Sequence, residues 1–238
     1  MSDLSGFETI AITREDELLI LTLSREEHLN AVNERMHREL SEVFAAADAD
    51  PDSKVIVLTG AGRAFCAGGD VRSMIDGMAG RLIRSGAQVR GEASRIVTAM
   101  LDTEKPIVSM VNGHAVGLGA TIALLCDVIV AADHAKIGDP HVNVSLVAGD
   151  GGAVIWPLLI GVARAKEYLM TGKLISGADA ATIGLVNHAV PAGDLRGFTL
   201  DLARSLAALD PADFASGFIA ESPAKLRRIE AHYRARLG

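Results

Sequence analysis

Twice along this chain a short β-branched run breaks into a glycine-rich corner and then into a stretch with helical character. The first corner, Ala64-Phe65-Cys66-Ala67-Gly68-Gly69-Asp70, follows a strand pattern over Lys54–Thr59. The second, Asn112-Gly113-His114-Ala115-Val116-Gly117-Leu118-Gly119-Ala120, follows Ile107–Val111. Glycine lets backbone approach a ligand closely and adopt positive φ, and a helix start leaves N–H groups unpartnered at the positive end of its dipole. Two such corners can aim two amides at one oxygen. That arrangement stabilises an enolate or a tetrahedral oxyanion, each donor being worth about 10²–10³ in rate. A single corner of this kind is more often only a tight turn; the pair is what points to a site.

The remaining pattern places strands at Phe7–Ile12, Leu18–Leu23, Asp127–Ala132 and Val186–Val190. Helices are expected from an Asn33 cap to about Ala49, over Gln88–Leu101, Leu118–Cys126 and Leu195–Leu209, in pieces broken at Pro157 and Gly161 over Ala153–Met170, and in a basic amphipathic tail over Pro223–Leu237. Asp70 reads as a further cap. Strands alternating with helices imply an α/β fold with largely parallel pairing.

At 238 residues, 49% apolar and 22% charged, the chain has the composition of one globular unit. A net charge of −7 argues against nucleic acid and anionic lipid as partners. Cys66 and Cys126 lie in no metal-ligand spacing, so reduced thiols and no metal are expected. No leader pattern and no apolar run long enough for a bilayer is visible, which makes the cytoplasm the expected location and a membrane role unexpected. Val57-Leu58-Thr59-Gly60-Ala61-Gly62 opens like a dinucleotide fingerprint, but Phe65 stands where the third glycine belongs.

Thr59-Gly60-x-Gly62-x-Ala64-Phe65-Cys66-Ala67-Gly68-Gly69-Asp70 and Val111–Gly119, with Cys126-Asp127 after it, resemble the two signatures of the enoyl-CoA hydratase/isomerase (crotonase) family. Asn30-Ala31, Ala135–Pro140, Gly149–Gly152, Thr171-Gly172, Ala178–Ala180 and Gly184–Val186 agree in order, so the resemblance covers about Phe7 to Pro191. It implies a crotonase-like spiral of repeated strand-strand-helix units, with a core over 1–191 and a shortened C-terminal helical region over 192–238. It further implies an acyl-CoA thioester substrate, coenzyme A entering only as part of that substrate with no separate cofactor, and a homotrimer or hexamer. By the resemblance the oxyanion hole is the backbone N–H of Gly69 and Leu118. Ala64, Ala67, Gly68, Asp70, Gly117 and Thr121 would lie along the substrate. Arg25 or Arg63 would meet CoA phosphates, although a surface arginine is commonly just a solvated charge.

The sequence departs from the family where hydratases carry two glutamates: Thr121 and His141 stand there instead. Asp150, nine residues after His141, lies on a turn that faces the acyl group in the family. A His–Asp pair is an oriented base, so His141 and Asp150 are the candidate catalytic residues. Pro140-His141, Gly149-Asp150-Gly151 and Trp156-Pro157 also resemble the family's C–C hydrolase of the 6-oxocamphor hydrolase type. Three functions stay open. One is enolate chemistry on an acyl-CoA. The second is hydrolysis of a β-diketone or β-keto thioester. The third is binding of acyl-CoA without catalysis, in which His141 is structural and Asp150 only caps a helix.

Overall fold

The computed structural model describes residues 4–70 and 86–209. Its chain begins with a hairpin, β1 (Ile10–Glu15) and β2 (Leu18–Leu23), joined by Asp16-Glu17 with Asp16 at φ 54°. The first strand starts three residues later than the apolar pattern suggested. Its register runs Ile10↔Leu23 to Glu15↔Leu18, so the tight turn sets the pairing. The segment before it is tied to a helix instead: Glu8 N–H and Thr9 N–H donate to the buried Glu39 carboxylate at 2.9 and 2.8 Å.

That helix is α1 (Glu34–Asp48), capped as expected by Asn33, whose side chain accepts from Met36 N–H at 2.9 Å. Met36, Leu40, Val43, Phe44 and Ala47 form its buried stripe. Next come β3 (Val55–Gly60) and β4 (Ala64–Cys66), and then α2 (Gly86–Asp102), β5 (Ile107–Val111), β6 (His114–Val116) and α3 (Leu118–Leu124). They are followed by β7 (Val128–Ala132), β8 (Lys136–Gly138), a 3₁₀ turn at His141–Val144, α4 (Gly152–Ile160) and α5 (Val162–Thr171). The described chain ends with β9 (Ile175–Ser176), α6 (Gly177–Thr182), β10 (His188–Val190) and α7 (Leu195–Ala207).

The strands form two sheets, ordered β1-β2-β3-β5-β7-β10 and β4-β6-β8-β9. From β3 to β8 the chain adds one strand to the large sheet and the next to the small one, in each of three successive turns of a spiral. All pairings among β2, β3, β5, β7 and β10, and among β4, β6 and β8, are parallel. Strands β3 and β5 are buried at every residue, as strands covered on both faces must be. The expected fold class is therefore the observed one.

Several local expectations change. Residues 64–66 and 114–116, read above as loop, are short strands of the small sheet. Three residues show no periodicity, and only pairing with each other makes them strands. Pro157 sits inside α4 without breaking it. Ala153, whose carbonyl loses its amide partner to the proline, is exposed to water, while Trp156 and Ile160 anchor the helix in the core. The break comes only at Gly161, at φ 78° and ψ 155°. Of residues 192–238, α7 packs on the large sheet; the tail helix and its Lys225-x-Arg227-Arg228 run lie outside the described residues, as does the helix that Asp70 was expected to cap. No helix among the described residues is long and apolar enough to cross a membrane.

One ion cluster fastens the hairpin to the far ends of α1 and α2. Arg14 donates both guanidinium NH₂ groups to the buried Asp50 at 2.8 and 2.9 Å. Lys105 Nζ bonds Ala47 C=O, Asp50 C=O and Ser53 Oγ. The Arg14 hydrogen bonds hold Asp50 down to a pKa of about 2. A depressed carboxylate pKa adds stability that is present above the unfolded value and lost as pH falls through the folded one. Asp50→Asn should lower unfolding stability at neutral pH by about 2 kcal/mol. In urea titrations, that gap from wild type should close as pH falls from the ordinary carboxylate range towards about 2.

Candidate active site

The small sheet brings the two glycine corners together. Parallel pairing of Ala64 with His114 and of Cys66 with Ala115 makes β4 and β6 leave the sheet at the same edge. Where they leave, the backbones touch: a Cβ on Gly68 would lie 2.7 Å from Val116 O and 3.9 Å from Gly117 Cα. Gly119 must also lack a side chain, because a Cβ there would lie 2.3 Å from Cys66 O. Helix α3 thus starts in contact with the end of β4.

The geometry around Gly69 and Leu118 follows from this packing. Gly69 forms an isolated parallel bridge with Val32. Val32 N–H donates to Gly68 C=O at 2.7 Å and Asp70 N–H donates to Val32 C=O at 3.0 Å. Alternate residues of an extended chain point their polar groups to opposite sides, so the Gly69 N–H faces away from Val32. Gly69 is also exposed. Leu118 is the first residue of α3, after Gly117 at φ 55° and ψ −121°, a conformation for glycine alone. Among the described residues neither the Gly69 nor the Leu118 N–H has an acceptor.

Asn30 fixes the first corner from below, donating to Ala61 C=O at 2.9 Å and Ala64 C=O at 2.8 Å. Ala64 is buried with that carbonyl engaged, which leaves half-buried Ala67 as the alanine with free surface. Arg25 pairs with Asp70 at 3.2 Å and also bonds Ala31 C=O, with only 13% of its side chain exposed. Its guanidinium is thus committed to bracing the corner, while Arg63 is exposed. Burial pushes the Cys66 thiol up to about 12, which removes it as a nucleophile at neutral pH.

The candidate bases arrive from the third parallel strand. Pairing of Val116 with Gly138 brings the end of β8 beside that of β6, and Asp139-Pro140-His141 follows directly. A Cβ on Gly117 would lie 3.4 Å from His141 Cε1, so the imidazole rests against the residue preceding Leu118. His141 Nε2 is 3.6 Å from Asp150 Oδ2. Thr121, one turn into α3, donates to Asp150 Oδ1 at 3.4 Å. The expected pair is therefore assembled against the first turn of α3, and Thr121 is a buried neighbour of its carboxylate.

Asp139 is the residue that motif reasoning passed over. It is buried, and its Oδ1 contacts both His141 Nδ1 and the His141 backbone N–H, the latter at 3.3 Å. The signal was an Asp two residues before a His, the spacing at which a carboxylate folds back on its own chain. The hydrogen bond to Asp139, aided by the charges of Asp150 and Asp139, raises the His141 pKa against the opposing effect of burial. Burial raises Asp150; His141 and the backbone amides of Gly152 and Asp150 pull it back, while Asp139 adds to the rise. Asp150 stands just before α4, whose cap position is Gly151 with no side-chain cap, and its carboxylate faces His141.

Asp139, His141 and Asp150 offer ligand atoms within 4.8 Å of one another. The two carboxylates lie on opposite edges of the imidazole, however, one at Nδ1 and one at Nε2. A metal takes one nitrogen of a histidine; this placement suits a hydrogen-bonded chain.

Over residues 13–231 the sequence matches the family described as enoyl-CoA hydratase/isomerase. A crotonyl-CoA hydratase of Syntrophomonas wolfei is 33% identical over 191 residues, covering 80% of this chain and 72% of that protein. A hydroxycinnamoyl-CoA hydratase-lyase of Pseudomonas fluorescens is 35% identical over 218 residues, covering 89% and 77%. The crystal structure of an enoyl-CoA hydratase/isomerase from Mycobacterium paratuberculosis superposes with a TM-score of 0.82 at 36% identity, covering 98% of this chain and 89% of that one.

Gly119→Ala tests the contact that joins the corners. Its methyl group would force α3 away from Cys66, costing about 1–3 kcal/mol as overpacking does. Denaturant unfolding should show that loss as a lower midpoint than wild type.

Proposed function

The chain belongs to the enoyl-CoA hydratase/isomerase family, and from that membership we propose that it binds an acyl-CoA thioester and catalyses proton transfer through a thioester enolate. The thioester oxygen lies between the N–H groups of Gly69 and Leu118. Asp150, backed by His141, is the base. Removal of a proton breaks a C–H bond, its electron pair moves into the carbonyl system, and the charge develops on the oxygen held by the two amides. Asp150 then carries the proton and returns it to the same or a conjugated carbon. Isomerisation of a double bond needs only one such base, so it tolerates the replacement of a glutamate pair by Thr121 and His141.

The observation that carries this reading is the placement of Asp150 and His141 against the first turn of α3, at Thr121 and Gly117, within one turn of a Leu118 amide that has no acceptor among the described residues. The raised Asp150 pKa supports it, because a base closer to working pH accepts and returns a proton more evenly.

A second reading draws on the approach of His141 to Asp150, 3.6 Å apart. The pair would remove a proton from water, and hydroxide would add to the keto carbon of a β-keto thioester. The C–C bond would then break, its electron pair forming the same enolate. One relative is by name a hydroxycinnamoyl-CoA hydratase-lyase.

Deuterium uptake separates these readings. With butyryl-CoA in D₂O, the protein should incorporate deuterium at the α-carbon, and but-3-enoyl-CoA should be converted to crotonyl-CoA. Asp150→Asn should lower both rates by about 10²–10⁴. Cleavage of acetoacetyl-CoA by an enzyme that fails to isomerise but-3-enoyl-CoA would favour the second reading. Tight butyryl-CoA binding with neither exchange nor turnover would leave a binding protein and remove the catalytic proposal.

A further inference from the structure

We propose that Asp139 is a positioning residue that fixes the tautomer of His141, so that Nε2, the nitrogen facing Asp150, is the one that exchanges protons. This rests on the enolate reading above and specifies how its base is held.

The placement of Asp139 leaves its carboxylate little freedom. Its side chain has no exposed surface. One oxygen, Oδ1, bonds both the backbone and the ring of His141 across the single intervening residue Pro140. The other, Oδ2, rests against the start of α4: a Cβ on Gly152 would lie 2.1 Å from it. Among the described residues Oδ2 has no hydrogen-bond donor. The carboxylate is thus wedged between the exit of β8 and the positive end of a helix, with the imidazole Nδ1–H as its strongest partner.

A carboxylate only accepts hydrogen bonds, so Nδ1 must carry the hydrogen. The neutral ring then presents its lone pair at Nε2, towards Asp150. When Asp150 takes a proton from the substrate carbon, it can pass that proton to Nε2 and regain its charge. His141 is then an imidazolium between two carboxylates, and reversing both transfers returns the proton. Asp139 gains and loses nothing in the cycle. Of the elements packed on His141, β8 and its exit contribute Asp139 and the start of α4 contributes Asp150; the first turn of α3 brings Thr121, and α5 brings Gly172 beside Asn143. Those two carboxylates are the only charges among the described residues that act on the imidazole.

Long-range ¹H–¹⁵N spectra of the full-length labelled protein test this, with His141 assigned by its disappearance in His141→Gln. Neutral wild-type His141 should be the Nδ1–H tautomer and should titrate above the ordinary histidine value. Asp139→Asn should lower that pKa, because the hydrogen bond to Asp139 is the main cause of its rise. In butyryl-CoA deuterium exchange the same variant should lose about 10²-fold or more in kcat, with KM changed less than about threefold, and its acid limb should move to lower pH. Asp150→Asn should slow exchange by about 10²–10⁴ yet keep the Nδ1–H tautomer. A neutral wild-type His141 protonated at Nε2 would overturn the proposal, even if Asp139→Asn did not fold. So would an Asp139→Asn protein whose His141 titrates unchanged. The spectra need no substrate, so absence of exchange in the wild type would count against the enolate reading alone.

Discussion

Parallel pairing of three very short strands, β4, β6 and β8, governs the rest of this molecule's chemistry. Parallel strands leave a sheet at the same edge, so Ala67–Asp70, Gly117-Leu118 and Asp139–His141 are delivered side by side by backbone hydrogen bonds alone. Each strand has only three residues, and a sheet that small could not hold its shape in water. It holds because β3, β5 and β7 sit just upstream in the large sheet, and each hands the chain over within a few residues. Close backbone contact, as at Cys66 O and Gly119, then leaves the amides at the corner in one arrangement.

Burial differs on the two sides of this edge. On the amide side it covers Leu118 and leaves Gly69 exposed, and among the described residues neither N–H has an acceptor. On the carboxylate side it disfavours charge, and two acids with one imidazole share a small space. Burial raises Asp150 against the pull of His141, while the hydrogen bond to Asp139 raises His141 against its own burial. On the proposed reading, His141 in place of a glutamate leaves the role of base to Asp150 on a neighbouring turn.

What the sequence revealed and what it hid divide along the range of the interactions involved. The Asn33 cap, the apolar stripe of α1, the buried runs of β3 and β5 and both glycine corners are encoded within a few consecutive residues, and all were readable. Residues 64–66 and 114–116 read as loop because their strand character exists only in the pairing between them. The apolar pattern starts β1 too early because Glu39, some thirty residues away, captures Glu8 and Thr9. Pro157 promised a break that exposure of Ala153 to water makes unnecessary. At the site, His141 and Asp150 emerged from the family pattern, whereas Asp139 passed as a signature residue because its role depends on a ring two residues ahead folding back onto it.

Arg25 shows the same division from the other direction. The family resemblance implies a CoA phosphate partner for Arg25 or Arg63. In the folded chain the Arg25 guanidinium is largely buried between Asp70 and Ala31 C=O, one residue on either side of the Val32–Gly69 bridge that turns the Gly69 amide outward. An ion pair with both members mostly shielded from solvent resists screening far better than one at the surface. It also costs desolvation that only good geometry repays. The return here is mechanical. The corner is gripped from both sides, by Arg25 at Asp70 and by Asn30 at Ala64, so Gly69, the one exposed glycine between them, owes its orientation to neighbours that need never touch the ligand.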